Sequence, residues 1–172
     1  MLEINIEGYL TEDKLRKSLQ KIIGIDKWIG NEVRVLQTLK RWDMVFKYLN
    51  NIYVVEFDGD QHFRDSLVIK SDDYKDSIAK DLKYTVIHIP YFMQLTNESF
   101  KHYFNFIKEE VNIIQNYKHG FIDKKAKLPA SFCELGKEKY NEIITFCPVN
   151  IRREILLSLQ QKASELGNKY VY

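Results

Sequence analysis

Between Thr11 and Gly24 the apolar residues Leu15, Leu19, Ile22 and Ile23 recur at the spacing of one helix face. Thr11 is a good N-cap, Leu10 before it is placed to pack on Leu15 as a hydrophobic staple, and Gly24 supplies the stop. Glu12 borders this stripe. It reads either as an acid favoured by the helix N-terminal dipole or as an outer acid of a site standing over a sheet. Residues 25–40 fit a short helix or an irregular strand. Lys27, Arg34, Lys40 and Arg41 make this region locally basic, either as a solvated surface or as phosphate contacts.

The period then changes from helical to alternating. Arg41–Phe63, RWDMVFKYLNNIYVVEFDGDQHF, holds two apolar runs around Asn50-Asn51, a pair that tolerates the positive φ of a tight turn. A two-residue turn there pairs Leu49 with Ile52, Val45 with Glu56 and Asp43 with Asp58. Alternation then puts Asp43, Val45, Glu56 and Asp58 on one face. Trp42, Met44, Phe46, Tyr48, Tyr53, Val55 and Phe57 form the opposite, core face. Paired Cβ atoms lie roughly 4.5–5.5 Å apart and diagonal ones roughly 7–8 Å. Asp43 is therefore expected to face Asp58, with Glu56 diagonal to it.

Beyond Gly59 a polar connection, FRDSLVIKSDD, leads to a helix expected over 72–83, capped by Asp72 or Asp73. Its buried stripe is Tyr74, Ile78 and Leu82, with Ala79 beside it and Lys75 adjacent. YTVIHIP reads as a buried strand stopped by Pro90, with His88 as a structural residue inside it. Strand, crossover helix and strand in one sheet imply a right-handed parallel connection. Another helix is expected from Thr96 or Asn97 to about Tyr117, along Phe100, Tyr103, Phe104, Ile107, Val111 and Ile114. From about His119 the character changes. HGFIDKKAKLPASF is loop-like and basic, and short helices follow. The last of them starts near Asn150 and repeats Ile151, Ile155, Leu159, Ala163 and Leu166 before Gly167. The expected division is a core over 1–118 and a small helical extension over 119–172. The class is α/β of the α+β type, a mixed β-sheet flanked by helices.

Composition narrows the picture only a little. A chain of 172 residues is expected to form one domain with at most a small appendage. Hydrophobic residues at 45% and charged residues at 29% exclude a disordered tail. A formal net charge of +2 does not by itself argue for nucleic acid. MLEINIEGYLTEDK has no apolar signal core, so Cys133 and Cys147 read as reduced packing residues. No run approaches membrane-spanning length. A soluble, intracellular protein of the cytoplasm, with no membrane partner, is expected.

Charge at one hairpin end changes it more. An acid inside a strand is expensive to bury, and three acids converging at one place repel one another. A cation is expected among them. Phosphodiester hydrolysis requires a nucleophilic water, charge neutralisation at phosphorus and help for the leaving oxygen. A hard cation on carboxylates supplies the first two, and Mg²⁺ prefers oxygen ligands. Asp43, Glu56 and the backbone carbonyl of Phe57 are the expected Mg²⁺ ligands, with Asp58 a further one and Mn²⁺ a substitute ion. His62, with a reference pKa of ~6.5, suits a general base or acid at neutral pH. Lys75 is placed to contact the scissile phosphate, Asp72 to orient His62 or Lys75, and Gln61 to orient water or hold a phosphate oxygen. Asp60 reads as a turn residue.

The order helix, acid-bearing hairpin, helix, strand, helix, with D-x(12)-E-x-D, resembles the PD-(D/E)xK nuclease superfamily. It is similar above all to a branch with E-[FYI]-D-G-x-Q-H-[FY] at a strand end, then a D-x-x-K helix, then a strand ending in I-P-Y. The corresponding stretches are VVEFDGDQHF at 54–63, DDYK at 72–75 and VIHIPYF at 86–92. Similar stretches occur in phage and giant-virus nucleases and, more distantly, in very-short-patch-repair nicking endonucleases. The resemblance spans roughly residues 10–115. It implies a restriction-endonuclease-like fold and a Mg²⁺-dependent endonuclease acting on DNA, in a phage-borne homing, restriction-like or repair role. Two positions depart from the superfamily pattern: Asp58 stands where E-x-K has its lysine, and Trp42 where a proline usually precedes the first acid. As the branch pattern implies, His62 and Lys75 are the available substitutes for that lysine. Without them the alternative is a catalytically inactive nuclease fold that binds nucleic acid. One chain offers one active site, so a monomer would nick and a homodimer would cut both strands. KKAK at 124–127 and the C-terminal helices are the expected DNA-contacting or dimerising part.

Overall fold

Alternating and helical stretches assemble, in a computed structural model that describes residues 1–36, 38–117, 120 and 127–165, into a mixed open sheet flanked by helices. Four strands run in the order β2 (Trp28–Arg34), β3 (Arg41–Tyr48), β4 (Asn51–Asp58) and β5 (Thr85–Pro90). β2, β3 and β4 are antiparallel neighbours, and β5 lies parallel to β4. A separate two-stranded parallel sheet joins β1 (Leu2–Ile6) to β6 (Val111–Gln115). No helix among the described residues is long and apolar enough to cross a membrane.

α1 (Glu12–Ile23) forms as its caps dictate. The Thr11 side chain accepts from the Lys14 N–H, and Gly24 ends the helix at φ 93°. Leu15, Leu19, Ile22 and Ile23 are buried in the main core. The ambiguous stretch after it resolves into a 3₁₀ turn, Ile25–Lys27, followed by β2, whose register is irregular between Trp28 and Gly30.

The β3–β4 hairpin closes one residue earlier than Asn50-Asn51. Tyr48 pairs with Asn51 and Val45 with Val54, so the turn is Leu49-Asn50, with Leu49 at φ 53°. Continuing this register sets Asp43 opposite Glu56, not Asp58, which corrects the expected pairing. Cross-strand packing outweighs the turn preference of asparagine: Phe46 stacks on Tyr53 at 5.6 Å, at the cost of one leucine in the left-handed region. The shift is by two residues, so Asp43, Val45, Glu56 and Asp58 keep a common side of the pleat.

Both faces of the hairpin are nevertheless buried. Met44, Phe46, Tyr48, Tyr53 and Val55 join the main core with α1, β1 and β6. Val45 and Val54 join a second cluster with Ala79 of α3 (Ser66–Asp81). Trp42, expected on the first face, packs in this second cluster and meets Tyr84 edge-on at 5.9 Å.

Three further expectations are corrected. α3 starts six residues before Asp72, because Asp65 caps it by accepting from the Leu67 N–H. A short α2 (Gln61–Arg64) precedes it. The buried face of α3 is Ile69, Asp72, Lys75 and Ala79, whereas Tyr74 is 52% exposed. The helix after β5 is only α4 (Asn97–Tyr103). Val111 and Ile113 sit instead in β6, drawn there by pairing with the N-terminal alternation Leu2, Ile4, Ile6.

α5 (Glu134–Phe146) and α6 (Val149–Glu165) follow, and Ile151, Ile155, Leu159 and Ala163 of α6 belong to the main core. Cys133 and Cys147 are free thiols. Lys124, Lys125 and Ala126 of KKAK, and Leu166 and Gly167, lie outside the described residues.

α5 docks on α2 in part through a close backbone contact. The Phe63 carbonyl accepts from the Cys133 N–H at 3.1 Å, and a Cβ added at Gly136 would lie 1.7 Å from that oxygen. Helix propensity alone would favour Ala at position 136 by about 1 kcal/mol. Gly136→Ala is nevertheless expected to lower unfolding free energy by about 1–3 kcal/mol, because the neighbour is backbone and cannot rotate away. Gly59→Ala, whose Cβ would meet nothing nearer than 3.9 Å, is the control expected to stay near wild type in the same urea titrations.

Candidate active site

α3 divides along its length. Ala79, with Ile78 and Leu82 beside it, packs on the valines of β3 and β4, while Asp72 and Lys75, one to two turns earlier, face the acidic end of β4. Residues spaced by three or four share a helix face, so one buried stripe carries both halves. At that end of β4, Glu56 is 2% exposed and Asp58 0%. Alternation keeps the two acids on one face, but their surroundings differ.

The first group gathers around Asp43. Its Oδ2 accepts from the Phe57 N–H at 2.8 Å, which holds the carboxylate across the ends of β3 and β4. Glu12 of α1, Glu32 of β2 and Asp43 each offer one carboxylate oxygen, and these three atoms lie within 4.8 Å of one another. None of the three makes an ion pair among the described residues. Burial, followed by the charges of Asp43 and Glu32, raises the Glu12 pKa. Burial also raises Asp43, against the Phe57 N–H and Lys75. Glu56 is pushed up to about 7, by burial first and the Asp43 charge second, despite Lys75. Lys75 Nζ lies 2.9 Å from Glu56 Oε2 and 3.4 Å from Asp72 Oδ1. Glu56 Oε1, although buried, has no hydrogen-bond partner.

The second group gathers around Asp58 and is rich in cations. Lys139 Nζ of α5 lies 2.8 Å from Asp58 Oδ2, and His88 Nδ1 lies 3.0 Å from the same oxygen. The other nitrogen of His88 is 3.0 Å from Asp76 Oδ2. His62 Nδ1 is 2.5 Å from Asp72 Oδ2 and 3.8 Å from Asp58. Burial would raise the Asp58 pKa, but His88, Lys139 and His62 together hold it well below the usual carboxylate range. Burial likewise works against charge on His88, yet Asp58 and Asp76 outweigh it and lift the pKa to about 10.

Most of the residues expected at the site therefore meet. Asp43 meets Glu12 and Glu32, and its charge acts on Glu56, which pairs with Lys75. His62 and Asp72 pair directly, and Asp72 also reaches Lys75, so it serves both of its expected partners. Gln61 is exposed at the start of α2, and Asp60 binds Arg64 at 2.9 Å in the turn. Asp58 faces His88 and Lys139 rather than Asp43. Sequence reasoning missed Glu32, Asp76 and Lys139; His88, read as structural, pairs with Asp58 and Asp76. The available signal for His88 was its place one strand over from Glu56, which follows from parallel pairing of β4 and β5. Glu32 and Lys139 come from elements whose approach no local pattern announces. Compared with family models, with curated proteins and with solved structures, the chain finds no match.

The Asp58–His88 pair has a pH signature. His88, raised from its ordinary 6.5 to about 10, contributes stability that is complete below about 6.5 and lost as pH rises through 10. Asp58, depressed from 3.8, contributes stability present above that value and lost as pH falls through its folded pKa. The two contributions coincide between pH 3.8 and 6.5. The difference in unfolding free energy between wild type and His88→Gln, from urea titrations, is expected to be larger at about pH 6 than at about pH 10.

Proposed function

We propose that this chain is a divalent-cation-dependent endonuclease acting on DNA, built on a restriction-endonuclease-like sheet. The observation that carries the reading is the carboxylate group of Glu12, Glu32 and Asp43, which makes no ion pair among the described residues, with the Asp43 charge also acting on Glu56 in its pair with Lys75. Its donors fit a hard cation such as Mg²⁺, or Mn²⁺ in its place. All are oxygens, Glu56 Oε1 is buried without a partner, and Glu12, Glu32 and Asp43 lack ion pairs among the described residues. Asp43 and Glu56 are the ligands of this reading, with the Phe57 carbonyl as a further oxygen and Glu12 and Glu32 as outer acids. When bound, the cation would neutralise phosphate charge and favour ionisation of water.

The remaining roles belong to the side chains. Lys75 takes the place of the missing E-x-K lysine. Held between Glu56 and Asp72, its ammonium is raised in pKa and stays charged, which suits it to stabilise charge developing on the phosphate. Asp72 bonds His62 at Nδ1, leaving Nε2 as the nitrogen that takes or gives a proton. Gln61, exposed beside His62, is placed to hold a phosphate oxygen. Asp58, surrounded by His88, Lys139 and His62, acts here as a counter-charge that fixes the neighbouring cations; with His62 and Asp72 it also offers ligand atoms within 4.8 Å of one another, a second place where a cation would be held.

Supercoiled plasmid incubated with the protein and Mg²⁺ or Mn²⁺ is expected to give open circles from a monomer and linear product from a homodimer. Asp43→Asn and Glu56→Gln are each expected to slow cleavage by about 10²–10³-fold, the scale of losing one electrostatic partner of the transition state. Glu32→Gln is expected to weaken Mn²⁺ binding in calorimetry while leaving the urea midpoint unchanged. Metal-independent plasmid binding with no product would favour an inactive nucleic-acid-binding module instead.

A further inference from the structure

α5 comes closest to the rest of the chain at Gly136, beside the Phe63 carbonyl that accepts the Cys133 N–H. Tyr140, four residues on, is buried against Phe92 and Phe132. Lys139 stands three residues beyond Gly136 on the same helix face, so the close approach turns it inward. Its ammonium lies over the Phe63 ring, 5.1 Å from the centroid, and ends 2.8 Å from Asp58 Oδ2. Lys137, by contrast, pairs with Glu134 on the exposed side of the helix.

Outward, Lys139 has no setting for a phosphate. It lines a groove of about 330 Å³ between α3 and α5, with His88 and with Asp72, Asp73, Asp76, Glu138 and Glu142. That excess of acid repels a polyanion. Inward, Asp58 is 0% exposed and faces two histidines as well, His88 Nδ1 at 3.0 Å and His62 Nδ1 at 3.8 Å. Asp76 takes the other nitrogen of His88, so that ring is held at both ends. His62 is held at one end only. Its Nδ1 is 2.5 Å from Asp72 and within reach of Asp58, so two acids compete for one N–H. Which of them holds it fixes where Nε2 lies.

We infer that Lys139 is a positioning residue of the proposed active site: by occupying Asp58 it leaves the His62 N–H to Asp72 and so fixes Nε2. The inference rests on the nuclease reading for what His62 does, and on the geometry alone for what Lys139 does to it. A buried carboxylate short of a partner is strongly disfavoured, so without the Lys139 ammonium Asp58 draws on a further donor within reach. Lys75 is committed to Glu56 and Asp72, which leaves His62. Closing 3.8 Å to hydrogen-bond length moves its ring by roughly 1 Å. A displacement of that size at a catalytic group costs on the order of 10² in rate. α5 thereby takes part in the catalytic unit itself.

The test combines crystal structures of the metal-free, full-length protein with plasmid cleavage in Mg²⁺. In Lys139→Met, His62 Nδ1 is expected to leave Asp72 for Asp58, and kcat to fall about 10²-fold while KM for plasmid stays within about twofold. Lys139→Arg is expected to keep His62 on Asp72 and to restore most of kcat. In an Asp58→Asn background the charge that competes for His62 is gone, so adding Lys139→Met is expected to slow cleavage no further. That comparison buries no unpaired charge, so it decides the matter even where Lys139→Met alone fails to fold. His62 remaining on Asp72 in Lys139→Met overturns the inference, as does further slowing in the Asp58→Asn background. A tenfold rise in KM with kcat kept assigns Lys139 to substrate contact and overturns it too. A shift of His62 to Asp58 in Lys139→Met, with no cleavage by any form including wild type, upholds the placement of His62 by Lys139 and overturns the nuclease reading instead.

Discussion

Burying two carboxylates at the end of one inner strand is the constraint that the surrounding structure satisfies. An ion removed from water without a partner costs several kcal/mol, so Glu56 and Asp58 are tolerable only where other elements bring cations to them. Lys75 comes from α3, His88 from β5 and Lys139 from α5. This requirement explains why α3 buries Asp72 and Lys75 on the same stripe as Ile69 and Ala79. It also explains why α5 lies close enough to α2 for Gly136 to touch backbone.

Neighbouring acids on this face then divide by how fully they are compensated. Asp58 is surrounded by positive charge and remains ionised, whereas Asp43, Glu12 and Glu32 meet mainly one another. Glu56 stands between the two regimes, with one oxygen on Lys75 and the other unsatisfied. A protein that needed only a stable sheet would gain nothing from the second arrangement. Like charges held together by the folding of α1, β2 and β3 are stabilised by whatever positive charge enters among them, and that is how stability and proposed chemistry become linked here.

Local chemistry made some of this readable from residues alone. α1 follows from Thr11, Gly24 and the leucine–isoleucine stripe, and the shared face of Asp43, Glu56 and Asp58 survives a two-residue register shift because alternation has period two. The turn itself was obscured because Leu49, a residue that disfavours positive φ, occupies the position where asparagine was expected. α3 starts earlier than its Asp72-Asp73 cap signal suggests, because Asp65 caps it and, of the aliphatic run Leu67, Val68 and Ile69, only Ile69 is buried. β1 and β6 pair across most of the chain, and Val111 and Ile114 fit a helix stripe equally well until that partner is known. Site residues followed the same rule. Those on the hairpin and the D-x-x-K helix were legible, whereas Glu32 and Lys139 arrive through tertiary packing.

The ion pair between Asp58 and Lys139 has a consequence for the order in which the protein is made. During synthesis β4 and β5 leave the ribosome well before α5, so the early chain can offer Asp58 only His88 and His62. The strand end keeps an incomplete complement of charge until α5 emerges and settles on the Phe63 carbonyl. The lysine that completes the surroundings of Asp58 is thus the last of its partners to be made, and a nascent chain ending between β5 and α5 would lack it.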